Sequence, residues 1–177
     1  MSRRLGEGVG GVPERDAPPT VTAVIALGAN LGDREDTMRI AVEDLARLPL
    51  VSHVHASAPV ESVAVKLDGP DEDAPAYLNA VALLQTRLAP TVLLAYLHAI
   101  ENRHGRERRE RWGDRTLDLD LIAYGEVTSD DPELLIPHPR AAEREFVLAP
   151  WLGLDRDAVL PGHGRVDAVL AQLRQQQ

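Results

Sequence analysis

Two aspartates one residue apart, Asp118 and Asp120, interrupt the otherwise apolar run TLDLDLIAYG (116–125). On an extended strand, residues two apart point to the same face, about 6.5 to 7 Å from each other. Both carboxylates then project together while Leu117, Leu119 and Leu121 face the core. Carboxylates so placed can hold metal ions, and magnesium prefers carboxylate oxygen combined with phosphate oxygen and water. Two such ions, roughly 3.5 to 4 Å apart, clamp both sides of an in-line displacement at phosphorus. Taken alone, an Asp-x-Asp alternation also fits the solvent face of an amphipathic strand. The segment just before it alters that balance. NRHGRERRERWGDR carries Arg103, Arg106, Arg108, Arg109, Arg111 and Arg115. Guanidinium groups bind phosphate bidentately and neutralise charge on a transferring phosphoryl group. An arginine-rich loop opening straight into the aspartate strand brings both halves of a metal–nucleotide site together, although a solvated charge run at a helix end remains the plain alternative. Trp112 and Gly113 add an apolar anchor and a flexible point, as a closing loop needs.

Positioning these groups falls to a series of elements. TVTAVIALG (20–28) is an apolar, β-rich run closed by glycine and reads as a first, central strand. GDREDTMRIAVEDLARLP follows as a helix, with Met38, Val42, Leu45 and Leu48 at helical spacing, acids in its first turn, and Pro49 as its stop. LVSHVHASAPVES (50–62) alternates like a strand, interrupted near Pro59, and VKLDGPDEDAPA (65–76) reads as an acidic loop. YLNAVALLQTRL (77–88) is the next strand. APTVLLAYLHAIENRHG (89–105) is a helix with Leu93, Leu94, Leu97 and Ile100 inward and Gly105 at its end. The aspartate strand comes after the arginines, and a short strand or loop, small helices and a closing helix complete the chain. The order β-α-β-β-α-β predicts an α+β, ferredoxin-like fold: an antiparallel sheet with helices packed on it and additional C-terminal helices.

Residues 1–19 are rich in Gly, Pro and charge and read as a flexible extension; residues 20–177 read as one domain. GEGVGG in that extension matches the dinucleotide fingerprint formally, but lacks the preceding strand that gives such a motif meaning. A net charge of −9 argues against general nucleic-acid binding, so the arginine cluster suits a small polyanion. An RNA-binding domain would want sheet aromatics and a basic surface. No apolar run approaches the roughly 18 to 20 residues that span a bilayer, and no N-terminal stretch resembles a signal peptide. With no cysteine, the composition fits a cytoplasmic protein. A monomer is expected, with no nucleic-acid or membrane partner. The residues themselves leave open a metal-dependent phosphohydrolase or nuclease built on the same aspartates and arginines.

RWGDRTLDLDLIAYG closely resembles the signature of the 6-hydroxymethyl-7,8-dihydropterin pyrophosphokinase family of the folate pathway. ALGANLGDR, YLNAV and LLIPHPRAAEREFVL agree with it in the same order, so the similarity spans about residues 22 to 152. The resemblance implies a ferredoxin-like fold, transfer of pyrophosphate from ATP to a pterin hydroxymethyl group with release of AMP, and two Mg²⁺ ions. It implies Asp118 and Asp120 as magnesium ligands and Arg106 and Arg115 as catalytic arginines against the triphosphate. It places Arg108, Arg111, Trp112, His138 and Arg144 at ATP, Glu101 towards the adenine and Leu121 as a source of backbone groups for it. Read from its helix alone, Glu101 is an ordinary surface glutamate. Tyr77 and Phe146 would sandwich the flat pterin, Asn79 would read its polar edge, and Asn30 and Ser62 would lie beside it. A hydrolase has no need of that aromatic and amide set. The departures are Ser62 and Val63 where the family commonly has an aromatic and a Thr-Pro pair, Ala29 where serine is frequent, and Glu133 and Leu135 at nucleotide-side positions. No general base stands out, and phosphoryl transfer runs largely on positioning and charge stabilisation.

Overall fold

The computed structural model describes residues 18–62, 64–66, 69–71, 76–105 and 116–176. The proposed extension up to residue 17, Val63, residues 72–75 and the arginine-rich stretch 106–115 lie outside the described residues. In chain order the elements are β1 (Val21–Ala29), α1 (Arg34–Ala46), β2 (Val51–Ala56), β3 (Val60–Ser62), β4 (Ala64–Lys66), β5 (Gly69–Asp71), β6 (Tyr77–Thr86) and α2 (Pro90–Arg103). They continue with β7 (Asp118–Tyr124), β8 (Ser129–Asp131), β9 (Leu134–Ile136), a 3-10 turn (Ala141–Glu143), α3 (Glu145–Leu154), β10 (Val159–Leu160), β11 (Gly164–Arg165) and α4 (Val166–Gln175).

The main sheet runs β2-β6-β1-β7, antiparallel at every joint, with β3 extending the β2 edge along β6. This is the expected ferredoxin-like topology. β1 sits in the middle because both of its faces are apolar. Ile25, Leu27 and Ala29 meet α1 and α2 through Met38, Leu45, Leu93, Leu97 and Ile100. Val24 and Ala26 belong to a second core with Val147, Leu148, Trp151, Val166 and Leu170 of α3 and α4. The added C-terminal helices therefore cover the face that α1 and α2 leave bare. Local signals set the helix starts. The Asp33 carboxylate accepts from the Asp36 amide (3.0 Å), and Pro90 occupies the first turn of α2.

Two segments differ from the plain reading of the sequence. The 50–62 strand is divided into β2 and β3, and Ser57 bridges the break: its amide donates to the Val81 carbonyl (2.8 Å) and its hydroxyl accepts from the Val81 amide (3.0 Å). β4 and β5, which overlap the acidic 65–76 segment, pair as a short antiparallel ribbon, where the sequence suggested only a loop. Its Pro70 costs no main-sheet hydrogen bond, because the ribbon stands apart from the main sheet.

At the far end of β7 the buried Tyr124 hydroxyl donates to the Leu88 carbonyl (2.6 Å), tying β7 to the turn that precedes α2. Tyr124→Phe leaves that carbonyl unpaired and is expected to cost about 1 to 2 kcal/mol in urea unfolding. Burial raises the Tyr124 phenol above its usual 10.0, so the folded state holds the proton more tightly than the unfolded chain. Its contribution is present below that pH and is lost as pH rises past it, an alkaline loss that the phenylalanine variant should lack.

Candidate active site

The face of the sheet carrying Val24 and Ala26 is roofed by α3 and α4 over only part of its length. Along the remainder, one row of residues crosses three strands. Gly28 of β1 pairs with Asn79 of β6 on one side and Asp118 of β7 on the other. A Cβ at Gly28 would lie 3.6 Å from Asn79 Oδ1, 3.8 Å from Tyr77 Cδ1 and 3.9 Å from Asp118 Cβ. Glycine here leaves a floor without a side chain between an amide and a carboxylate. Asp120, paired with Ala26 one step on, projects from the same face as Asp118. Leu117, Leu119 and Leu121 are buried behind them, as the alternation in the sequence requires.

Charge gathers at Asp120. Arg144, the residue that opens α3, donates from Nη1 to Asp120 Oδ2 at 2.8 Å. The same guanidinium stands over the Phe146 ring, 5.9 Å from its centroid. His138 Nε2 lies 3.9 Å from Asp120 Oδ2. His138 Nδ1 accepts from the Arg140 amide (3.1 Å), so the neutral ring carries its proton on Nε2, towards the aspartate. Burial holds the imidazole below its usual pKa and the Arg144 and Arg140 charges add to that, against the opposing pull of Asp120 and Asp118. The ring is therefore neutral at pH 7. The chain delivers His138 through the cis Ile136–Pro137 bond that follows β9, and the His138 amide donates to the Ile122 carbonyl of β7 (2.9 Å).

A cleft of about 370 Å³ opens at the outer side of β7, lined by Asp118, Asp120, Leu121 and His138 together with Glu101 and His98 of α2. Glu101 corrects its helix-surface reading: it is 1% exposed, and its Oε1 accepts from the Leu119 amide at 2.9 Å. Leu121, two residues on, turns its backbone groups to the same outer edge.

Across the floor from the aspartates, Asn79 is buried and its Nδ2 donates to Ser62 Oγ at 2.7 Å. Tyr77 shares its strand face. A second, more apolar cavity of about 880 Å³ lies between β3 and α3, walled by Ser62, Val60, Phe146, Ala149 and Leu154 among others. Asn30 is buried just past the end of β1. The fold thus brings Asn79, Tyr77, Ser62, Asp118, Asp120, His138, Arg144 and Phe146 to one region, with Glu101 and Leu121 at its outer edge. Arg106, Arg108, Arg109, Arg111, Trp112, Gly113 and Arg115 fall outside the described residues. Arg34 went unremarked in the sequence although it closes the quoted ALGANLGDR motif. Its guanidinium donates to the Ala76 carbonyl (2.5 Å) and to Glu61 (2.9 Å), fastening the start of α1 to the residues beside Tyr77 and Ser62.

The family model for 7,8-dihydro-6-hydroxymethylpterin-pyrophosphokinase (HPPK) matches residues 24–156. The chain belongs to that family. Among relatives, the 2-amino-4-hydroxy-6-hydroxymethyldihydropteridine pyrophosphokinase of Haemophilus influenzae is 39% identical over 152 residues, covering 86% of this chain and 92% of that protein. The Pseudomonas aeruginosa enzyme of the same name is 40% identical, covering 83% of this chain and 88% of its own. The crystal structure of wild-type Plasmodium falciparum HPPK-DHPS superposes with a TM-score of 0.67 at 11% identity, a likeness of fold. It takes in 92% of this chain, which spans 42% of that longer one. The HPPK match runs from Val24 in β1 to Arg156 just beyond α3, so it includes every strand and helix that supplies the row described above.

Proposed function

We infer that the protein transfers the pyrophosphoryl group of ATP to the hydroxymethyl group of 6-hydroxymethyl-7,8-dihydropterin, releasing AMP, as a step of folate synthesis. The hydroxymethyl oxygen attacks the β-phosphorus, the bond from that phosphorus to the oxygen bridging it to the α-phosphate breaks, and the hydroxyl proton is lost. The observation that carries this reading is the adjacency of two unlike half-sites on one sheet face. Asp118 and Asp120 stand beside Arg144 and His138, while Asn79, Tyr77 and Phe146 lie across the Gly28 floor. A planar heterocycle suits the second group and a polyphosphate the first.

The two carboxylates fit Mg²⁺. Among the described residues no cluster of three or more His, Cys, Asp or Glu side chains could enclose a metal. Magnesium needs no such cage, since it is commonly held by one or two carboxylates plus substrate phosphates. Asp118 and Asp120 would hold it, and when bound it would neutralise charge on the β- and γ-phosphates. The chain's own groups do the rest. The Arg144 guanidinium meets phosphate oxygens, neutral His138 donates from Nε2, and the outer-edge backbone of Leu121 receives the adenine. The Asn79 amide reads the pterin's edge with its Ser62 partner fixing its orientation, and Tyr77 and Phe146 enclose the ring. Arg106, Arg108, Arg111, Trp112 and Arg115 would complete the triphosphate side, a role that rests on the sequence motif. Among the described residues no helix is long and apolar enough to cross a membrane. We place the enzyme in the cytoplasm and take it to act as a monomer.

Incubation with ATP, Mg²⁺ and the hydroxymethyl pterin, followed by nucleotide separation, tests the reading. AMP formed only when pterin is present supports it. ADP and phosphate formed regardless of pterin would assign the site to a hydrolase.

A further inference from the structure

The geometry points to Glu101 as a positioning residue that sets the Asp118–Asp120 pair through the backbone between them, without contacting ATP. This inference rests on the reading of that pair as the ion-holding group. Among the described residues β7 is the last strand of the main sheet, and no strand pairs with its outer edge. Edge strands are free to twist and shift unless something holds them. The Leu119 amide points outward from that edge, and the Glu101 carboxylate accepts it at 2.9 Å. Leu119 is the residue between the two aspartates, so this bond fixes the peptide plane that joins Asp118 to Leu119. A rotation of that plane would swing one carboxylate relative to the other. Leu119 itself is 2% exposed, packed into the core beneath α2, so the brace is held from both the side-chain and the backbone direction.

A carboxylate that is 1% exposed is costly to bury unless its oxygens find donors. Glu101 sits in the last turn of α2, after Leu93, Leu97 and Ile100 have packed on the core, and its position is therefore set by the helix as a whole. The charge-assisted hydrogen bond from the Leu119 amide ties the ion-holding strand to α2 in a water-poor setting. Groups that orient metal ligands in this way typically change affinity or activity by about 10- to 100-fold when removed.

Glu101→Ala and Glu101→Gln separate this role from its rivals. Glutamine keeps an acceptor oxygen of the same reach for the Leu119 amide, loses the charge and carries an NH2 group in place of the second oxygen. The Ala variant should lower kcat about 10- to 100-fold, weaken calorimetric binding of Mn²⁺ in the presence of a non-hydrolysable ATP analogue, and speed hydrogen exchange at the Leu119 amide. The Gln variant should recover most of all three. Equal impairment of Gln and Ala would overturn the brace in favour of a charge effect. A raised KM for ATP with unchanged kcat and unchanged Leu119 exchange would overturn it in favour of a direct nucleotide contact. A lowered unfolding midpoint with kcat and exchange unaltered would reduce Glu101 to a packing residue and overturn it too. If the wild-type protein forms no AMP, the assigned reaction fails, and the Leu119 exchange comparison still decides whether Glu101 braces the strand.

Discussion

With Asp120 replaced by alanine, the protein is expected to release AMP roughly a thousandfold more slowly while remaining folded. A loss of that size corresponds to about 4 kcal/mol of transition-state stabilisation, and several kcal/mol is what a metal ion contributes to charge stabilisation at phosphorus. Two consequences combine. One of the two carboxylates that face the phosphates is gone, and Arg144 and His138 lose the oxygen around which they are arranged. The fold should tolerate the change, because the Asp120 side chain lines the open cleft beside β7 and belongs to neither apolar core. Asp120→Asn sharpens the test, since an amide keeps the shape and can still accept from Arg144 but carries no charge. If charge towards the metal is what matters, the asparagine variant should be nearly as slow as alanine, and Asp118→Asn should match it. Retention of more than a tenth of wild-type kcat in Asp120→Asn, with an unchanged melting temperature, would remove this aspartate from the ion-holding role.

That both aspartates share a face was legible from their spacing, because a strand has a period of two and three leucines occupy the alternate positions. The break near Pro59 was legible for a similarly local reason, whereas α1 ends at Ala46, ahead of the stop expected at Pro49, and leaves Leu48 in the turn that follows. What the sequence hid was non-local. Gly28 is one of several glycines in the chain, and only the registers of β1 with β6 and β7 show that it lies between Asn79 and Asp118. Glu101 looks like a surface glutamate because its helix shows ordinary amphipathic spacing; its burial depends on the outer edge of β7 lying against the last turn of α2, 18 residues away. The β4–β5 ribbon was masked by acidic and proline content that ordinarily marks a loop. α3 read only as small helices, since Pro150 falls within it; the proline lacks the N–H that would reach back to Phe146.

Arg144→Ala should lower kcat/KM about a hundredfold and move metal binding in the opposite direction to nucleotide binding. Arg144 is shared: its guanidinium bonds Asp120 at 2.8 Å and covers Phe146 at 5.9 Å. Its backbone carbonyl meanwhile accepts from the Val147 and Leu148 amides at the start of α3, contacts that an alanine preserves. The variant therefore isolates the side chain. A cation approaching Asp120 in the absence of nucleotide competes with a guanidinium already seated on Oδ2. Removing that competitor should tighten binding of bare Mn²⁺, as seen in its electron paramagnetic resonance titration. Once ATP is present the balance reverses, because the arginine is lost as a phosphate partner, and the metal–nucleotide complex should bind more weakly. Arg144→Lys divides the remaining effect. Lysine restores a charge near Asp120 but not a planar group lying over an aromatic ring. It should recover much of the nucleotide affinity while leaving the KM for pterin raised, since the Phe146 ring loses the guanidinium that lies over it. Should alanine weaken bare Mn²⁺ binding as well, Arg144 would be organising Asp120 for the ion, and its part in the site would be structural support in place of competition.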